Sequence, residues 1–144
     1  MEAKMLAPAA VLIVWTMIVM LWMTVTRFAA LSKSGIDLSK SKPGGRGSQL
    51  DGVLPDQVMW KSHNYTHLLE QPTIFYPAVV IIALMGASGS DVLLAWAYVA
   101  LRIIHSFWQA LVNRLPVRIA LFFVSSVILV VLACRAAMLT LFAV

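Results

Sequence analysis

Arg102, His105, Gln109 and Asn113 follow one another at intervals of three, four and four residues, so on a helix of about 3.6 residues per turn they share one face. Earlier in the chain Asn64, His67 and Glu70 recur every three residues, a second one-sided polar stripe. Arg27 and Arg118 add two more cations beside these stripes. An arginine offers a planar fork of donors that matches a carboxylate, and Glu70 is suited to an ammonium group. With arginine in excess of glutamate, the set is expected to hold a water-soluble anionic ligand that also carries an amine. The competing reading is structural: Arg102 and Glu70 form a buried ion pair that fixes helix packing, and His105 bonds a backbone carbonyl.

The elements that must carry these residues are apolar. Of 144 residues, 61% are hydrophobic and 12% charged, and the mean hydropathy is +0.88, far above a soluble domain. Four runs reach the roughly 20 residues a membrane-spanning helix needs: about 7–30, 68–87, 92–111 and 117–144. The first is too long for a cleaved signal segment. The predicted fold is all-α, an integral membrane four-helix bundle in a single domain. Ionisable residues inside such spans are expensive and mark functional candidates. At ~1.5 Å per residue, Arg102 lies on the order of 15 Å from the end of the third span, with His105 and Gln109 nearer the exit.

Residues 32–61 are rich in Ser, Lys, Gly and Pro and cannot cross lipid with their backbone groups unpaired, so they form a solvated loop. The GASGSD (86–91) and NRLP (113–116) connections are short, which makes consecutive helices antiparallel neighbours. Lys33, Lys40, Lys42, Arg46, Lys61 and Arg114 fall on the loop side, with Arg27 and Arg118 at the adjoining helix ends, whereas the other side has Lys4 and, deep in the last helix, Arg135. By the positive-inside rule the loop side is cytoplasmic and both termini lie on the opposite face.

The net charge of +5 is read as a topology signal, since the basic residues belong to no nucleic-acid module. Metal binding is not expected: His63 and His67 are spaced His-x-x-x-His, yet no His-Glu-x-x-His pattern is present. PGGRG (43–47) lacks the Walker pattern and reads as a flexible linker. Pro72 and Pro77 are expected to bend the second span beside Glu70. Cys134, the single cysteine, is expected to be a buried small hydrophobe.

The stretch HNYTHLLEQPTIFYP (63–77) resembles the second-helix signature of the MAPEG family, membrane-associated proteins in eicosanoid and glutathione metabolism, of bacterial type. RIIHSFWQALVNRLPVR (102–118) is similar to that family's R-x-x-H motif followed thirteen residues after the His by another Arg. The resemblance implies a homotrimer in which glutathione, as co-substrate, binds between subunits near the cytoplasmic face while a lipophilic small molecule enters from the membrane lipid. It implies that Glu70 holds the glutathione amino group, that Arg102, His105 and Arg118 contact its carboxylates or lie near the thiol, and that Arg118 is the catalytic cation. Asn64, His67, Gln109 and Arg27 complete the candidate glutathione-binding set. Three departures bear on catalysis: His67 stands where many members have Asn, Gln109 where catalytic members have Tyr, and Ile119 where some have Ser.

Three functions follow as expectations. The first is a glutathione-dependent transferase or peroxidase acting on lipophilic electrophiles, with Arg118 lowering the thiol pKa. The second is a non-catalytic lipid- or glutathione-binding protein on the same fold. The third, a small multidrug transporter, fits poorly, because the arginines would repel cationic drugs.

Overall fold

The computed structural model describes residues 2–142. It contains five helices: α1 (Glu2–Ser34), α2 (Asp56–Leu68), α3 (Pro72–Gly86), α4 (Gly89–Leu111) and α5 (Leu115–Leu141). Because α2 and α3 continue one another, they make four membrane-crossing units, each long and apolar enough to span a bilayer. With 33 residues, α1 is about 50 Å long, well beyond the roughly 30 Å hydrocarbon core. The loop is shorter than the 32–61 expected, because α1 runs on to Ser34 and α2 begins at Asp56.

Hydroxyls inside the spans are satisfied locally. Thr16, Thr24 and Thr26 each donate to a carbonyl four residues back, at 2.8, 2.8 and 2.9 Å, so none needs water. In the loop, the Asp37 carboxylate accepts from the Ser39 hydroxyl at 2.6 Å and its amide at 3.0 Å. Those bonds hold its carboxyl below the ordinary pKa and start the short 3-10 turn Leu38–Lys40.

Pro72 does not merely bend the second span. Having no N–H to donate, it sits in the first turn of α3, where that donor would be unpaired anyway. Upstream, α2 closes with tight bonds from Leu69 N to Thr66 O (3.0 Å) and Glu70 N to His67 O (3.3 Å). Glu70 thus lies in a break between two helices, and its side chain is 61% exposed. Pro77 lies inside α3.

At the opposite membrane face, Ser88 caps α4. Its hydroxyl accepts from Asp91 N at 3.2 Å, while the Asp91 carboxylate accepts from Ser88 N at 2.8 Å, a reciprocal box. Asp91 also pairs with Nε of Arg135 on α5 at 3.2 Å, which gives the arginine deep in the last span its counter-ion. At the other end of α4, Lys61 Nζ donates to Ala110 O at 3.4 Å, capping a terminal carbonyl.

The core is built from Met5, Leu12 and Val19 of α1, Phe75, Val79 and Ile82 of α3, Tyr98 and Val99 of α4, and Leu129 and Leu132 of α5. Large apolar side chains such as Leu84, Leu93 and Phe123 are exposed instead, as expected of a lipid-facing surface. Cys134 is exposed among them, which corrects the expectation of a buried cysteine. Lipid is as apolar as a core, so apolar neighbours in the sequence cannot distinguish the two surroundings.

Without a hydrophobic force between helices in lipid, side-chain hydrogen bonds help choose partners. Ser106 on α4 accepts from Trp15 Nε1 of α1 at 3.0 Å and from Asn64 Nδ2 of α2 at 2.8 Å. Three helices meet on one oxygen. Ser106→Ala leaves both donors unpaired, and it is expected to destabilise the protein by about 1–2 kcal/mol. Equilibrium unfolding in mixed micelles with a denaturing detergent checks this, the change in midpoint giving the loss.

Candidate functional site

The polar stripe of α4 faces inward. Arg102, His105 and Gln109 are all buried, whereas Asn113 lies past the end of the helix in a left-handed turn at φ 55°, which Asn tolerates better than most residues. From there its Oδ1 accepts from Arg118 Nη1 at 2.7 Å. Pro116 lies in the first turn of α5 and starts the helix whose first turns carry Arg118. Sequence order alone had grouped Asn113 with the stripe; the turn hands it to Arg118.

Arg102 is 1% exposed. Its Nε donates to the Tyr98 hydroxyl oxygen at 3.1 Å and its Nη1 lies 3.2 Å from His67 Nε2. Aromatic faces flank it, with Cζ 5.3 Å from the Tyr98 ring centroid and 5.4 Å from that of Phe122. Its Nη2 is buried with no partner. Among the described residues no carboxylate comes within ion-pair distance of Arg102, so the Arg102–Glu70 pair of the competing structural reading does not form. His67 stands between the two, its Nδ1 3.0 Å from Glu70 Oε2.

The His67 ring lies 4.8 Å from that of His105 and 5.5 Å from that of Phe122. These rings, with Leu115, Arg118 and Ile119, line a cavity of about 100 Å³. Arg118 brings a second buried nitrogen without a partner, its Nε. One wall of the cavity is cationic and imidazole-bearing, and the other is apolar and turned toward lipid through Ile119 and Phe122. An anion can therefore be bound at the boundary of the hydrocarbon, where low dielectric strengthens each charge-assisted bond.

Of the candidates, His67, His105 and Arg118 line that cavity and the others do not. Asn64 spends its Nδ2 on Ser106, and its Oδ1 is left unpaired, as is Oε1 of the buried Gln109. Arg27 donates to Ser62 Oγ and faces a different cavity of about 350 Å³, lined also by Arg46, Gly47 and His63. A Cβ on Gly47 would stand 2.8 Å from Arg27 Nη1, which shows how closely the loop covers that arginine. His63 turns to Asp51 in the loop at 2.9 Å, away from His67, so the His-x-x-x-His spacing does not bring two imidazoles together. Residues 67, 70, 102, 105 and 118 form the connected group.

Sequence reasoning missed Tyr98 and Phe122. Tyr98 precedes Arg102 by four residues, one helical turn, so that spacing was available as a signal. Phe122 reaches Arg102 from another helix, and nothing in the linear sequence marks that contact. Gln71, beside the break, donates to Ser126 Oγ at 2.7 Å and was also missed.

No curated protein and no solved structure matches the chain significantly. The family model for the MAPEG family does match, over residues 5–138. That range takes in all four spanning units, the break that carries Glu70 and the cavity between α4 and α5. The chain is a multi-pass membrane protein and belongs to the MAPEG family.

Proposed function

We propose that the protein is a glutathione-dependent membrane transferase or peroxidase that acts on lipophilic electrophiles. The observation that carries this reading is Arg102: a fully buried guanidinium with an unpartnered nitrogen and no carboxylate in reach. A buried, unpaired cation is costly, and an anionic ligand offsets that cost. Glutathione supplies two carboxylates for arginines and an ammonium for Glu70, whose exposed carboxylate keeps one oxygen outside the His67 contact.

The cavity beside Arg118 holds about 100 Å³, roughly three waters at ~30 Å³ each. That suits the thiol end of the ligand and not the whole tripeptide. The remainder of the molecule needs further surface, which supports a homotrimer with sites completed between subunits. Arg118 is the residue placed to stabilise the thiolate. In conjugation the thiol proton passes to water, the sulfur lone pair forms the new C–S bond, and the leaving group departs with its own electron pair. Leu115, Ile119 and Phe122 receive the lipophilic partner. The loop face is assigned to the cytoplasm of a bacterial inner membrane, with both termini on the other side, on the excess of Lys and Arg there.

A binding protein without turnover is the second reading. It is favoured by Ile119, which presents no hydroxyl to the cavity, and by Gln109, which is buried outside its lining. The test is equilibrium binding of glutathione to detergent-purified protein with a parallel conjugation assay on an aromatic electrophile. Wild type is expected to bind and turn over. Glu70→Gln, which removes the charge and keeps the shape, is expected to weaken binding about tenfold. Binding without turnover selects the second reading, and no binding by wild type overturns both.

A further inference from the structure

A guanidinium has donors only, at every accessible pH. The contact of 3.2 Å between Arg102 Nη1 and His67 Nε2 therefore requires Nε2 to be the acceptor, with its lone pair free. The single proton of the neutral imidazole must then sit on Nδ1, which lies 3.0 Å from Glu70 Oε2 and donates to it. One side chain thus joins a buried cation to an exposed carboxylate, and the joint works in one protonation state and one tautomer. A proton added at Nε2 turns that nitrogen into a donor facing another donor. The charged groups around the ring are Arg102 on α4, Arg118 on α5 and Glu70 at the α2–α3 break, with the His105 ring stacked beside it.

We infer that His67 is a proton-controlled positioning residue: as the neutral Nδ1–H tautomer it holds the Glu70 carboxylate oriented and leaves Arg102 Nη2 free for a ligand, and on protonation it releases Arg102. Glu70 then keeps its bond to the imidazolium, whereas Arg102 loses the neighbour that sets its fork. The fork geometry is what a bidentate carboxylate contact needs, so ligand affinity falls as pH falls although Arg102 and the ligand carboxylates keep their charges. Leu68 beside His67 is buried and Leu69 begins the break, so the ring is fixed by its place at the last turn of α2 as much as by its bonds. This inference rests on the glutathione reading for its consequence, and on the two hydrogen bonds alone for the tautomer.

The experiment has two arms. In the first, ¹⁵N-histidine-labelled protein is examined by NMR; the chain has three histidines, and His67 is assigned by its loss in His67→Asn. The expected result at about pH 8 is a neutral ring with Nδ1 protonated, and in the double variant Arg102→Met with Glu70→Ala a mixture of tautomers, since Nε2 then has no donor to accept from and Nδ1 no carboxylate to donate to. A ring protonated on Nε2, or a tautomer unaffected in that double variant, overturns the inference whether or not glutathione binds.

In the second arm, glutathione affinity is measured from about pH 8 down to about pH 5.5, across the histidine range. Wild type is expected to weaken about tenfold or more beyond any change that the ligand itself undergoes. His67→Leu is expected to be weak at every pH. His67→Asn, whose amide accepts from Arg102 through oxygen and donates to Glu70 through nitrogen, is expected to recover most of what Leu loses and to show a shallower profile, the part that thiol ionisation alone gives. A purely structural histidine predicts equal slopes in wild type and Asn variant, and that outcome also overturns the inference. If wild type binds no glutathione, the proposed function fails while the tautomer result still decides this one.

Discussion

Arg102→Met is expected to lower glutathione affinity about 100-fold or more while leaving the thermal midpoint of the ligand-free protein no lower than that of wild type. The two halves of this result have one cause. Arg102 is buried with aromatic rings on two sides, bonded to two neutral groups, and without a carboxylate. In the empty protein its charge is desolvated and not compensated, and replacing such a group by an apolar side chain of similar length is often neutral or stabilising. Methionine fills irregular space and packs well against aromatic rings. When ligand binds, the same guanidinium becomes one half of a charge-assisted contact in low dielectric, and its loss removes one of the strongest interactions available. Thermal unfolding with and without glutathione measures both quantities on one sample. A large fall in the midpoint without ligand would assign Arg102 to structure and remove the main support for an anion site.

Arg118→Ala is expected to reduce turnover about 100- to 1000-fold, in line with removal of a donor that stabilises developing or resident negative charge, with a smaller change in glutathione affinity. Arg118 lines the cavity, is oriented by Asn113 at 2.7 Å and keeps Nε unpartnered. Its side chain is therefore held while a donor remains for the sulfur. Spectrophotometric titration of the bound thiol supplies the decisive comparison, because the thiolate absorbs in the ultraviolet and the thiol does not. In wild type the bound thiol is expected to ionise below its solution value, and in Arg118→Ala to return toward it. Arg118→Lys keeps charge but not the fork, so it is expected to retain the thiolate signal in part. Equal turnover in wild type and Arg118→Ala would assign thiol activation to another group, His105 being next on the cavity wall.

Much of the architecture is determined by residue type and period. Four apolar runs of spanning length, one polar loop and two short connections suffice to define the crossings, since in lipid every backbone group must be paired within its own helix. The inward face of α4 is equally readable, because Arg102, His105 and Gln109 repeat at the helical period and no polar side chain of that kind can face hydrocarbon cheaply. Family membership is legible because the motifs at 63–77 and 102–118 are residue types at fixed spacings, which the sequence alone displays.

What the residues face was decided only by tertiary structure. Periodicity reports which side of one helix points inward, but not which neighbour meets it or at what height, and that register is set by side chains packing on several helices at once. Hence Arg102 and Glu70, which the competing structural reading paired by charge, are separated by His67, and Glu70 is exposed in the break before Pro72. Asn64 is drawn to Ser106 and Trp15, and Arg27 to Ser62 and the loop. Arg135 finds Asp91 from 44 residues away. Cys134 faces outward, although its neighbours in sequence would suit a core equally well, because a bilayer and a protein interior are alike to an apolar side chain.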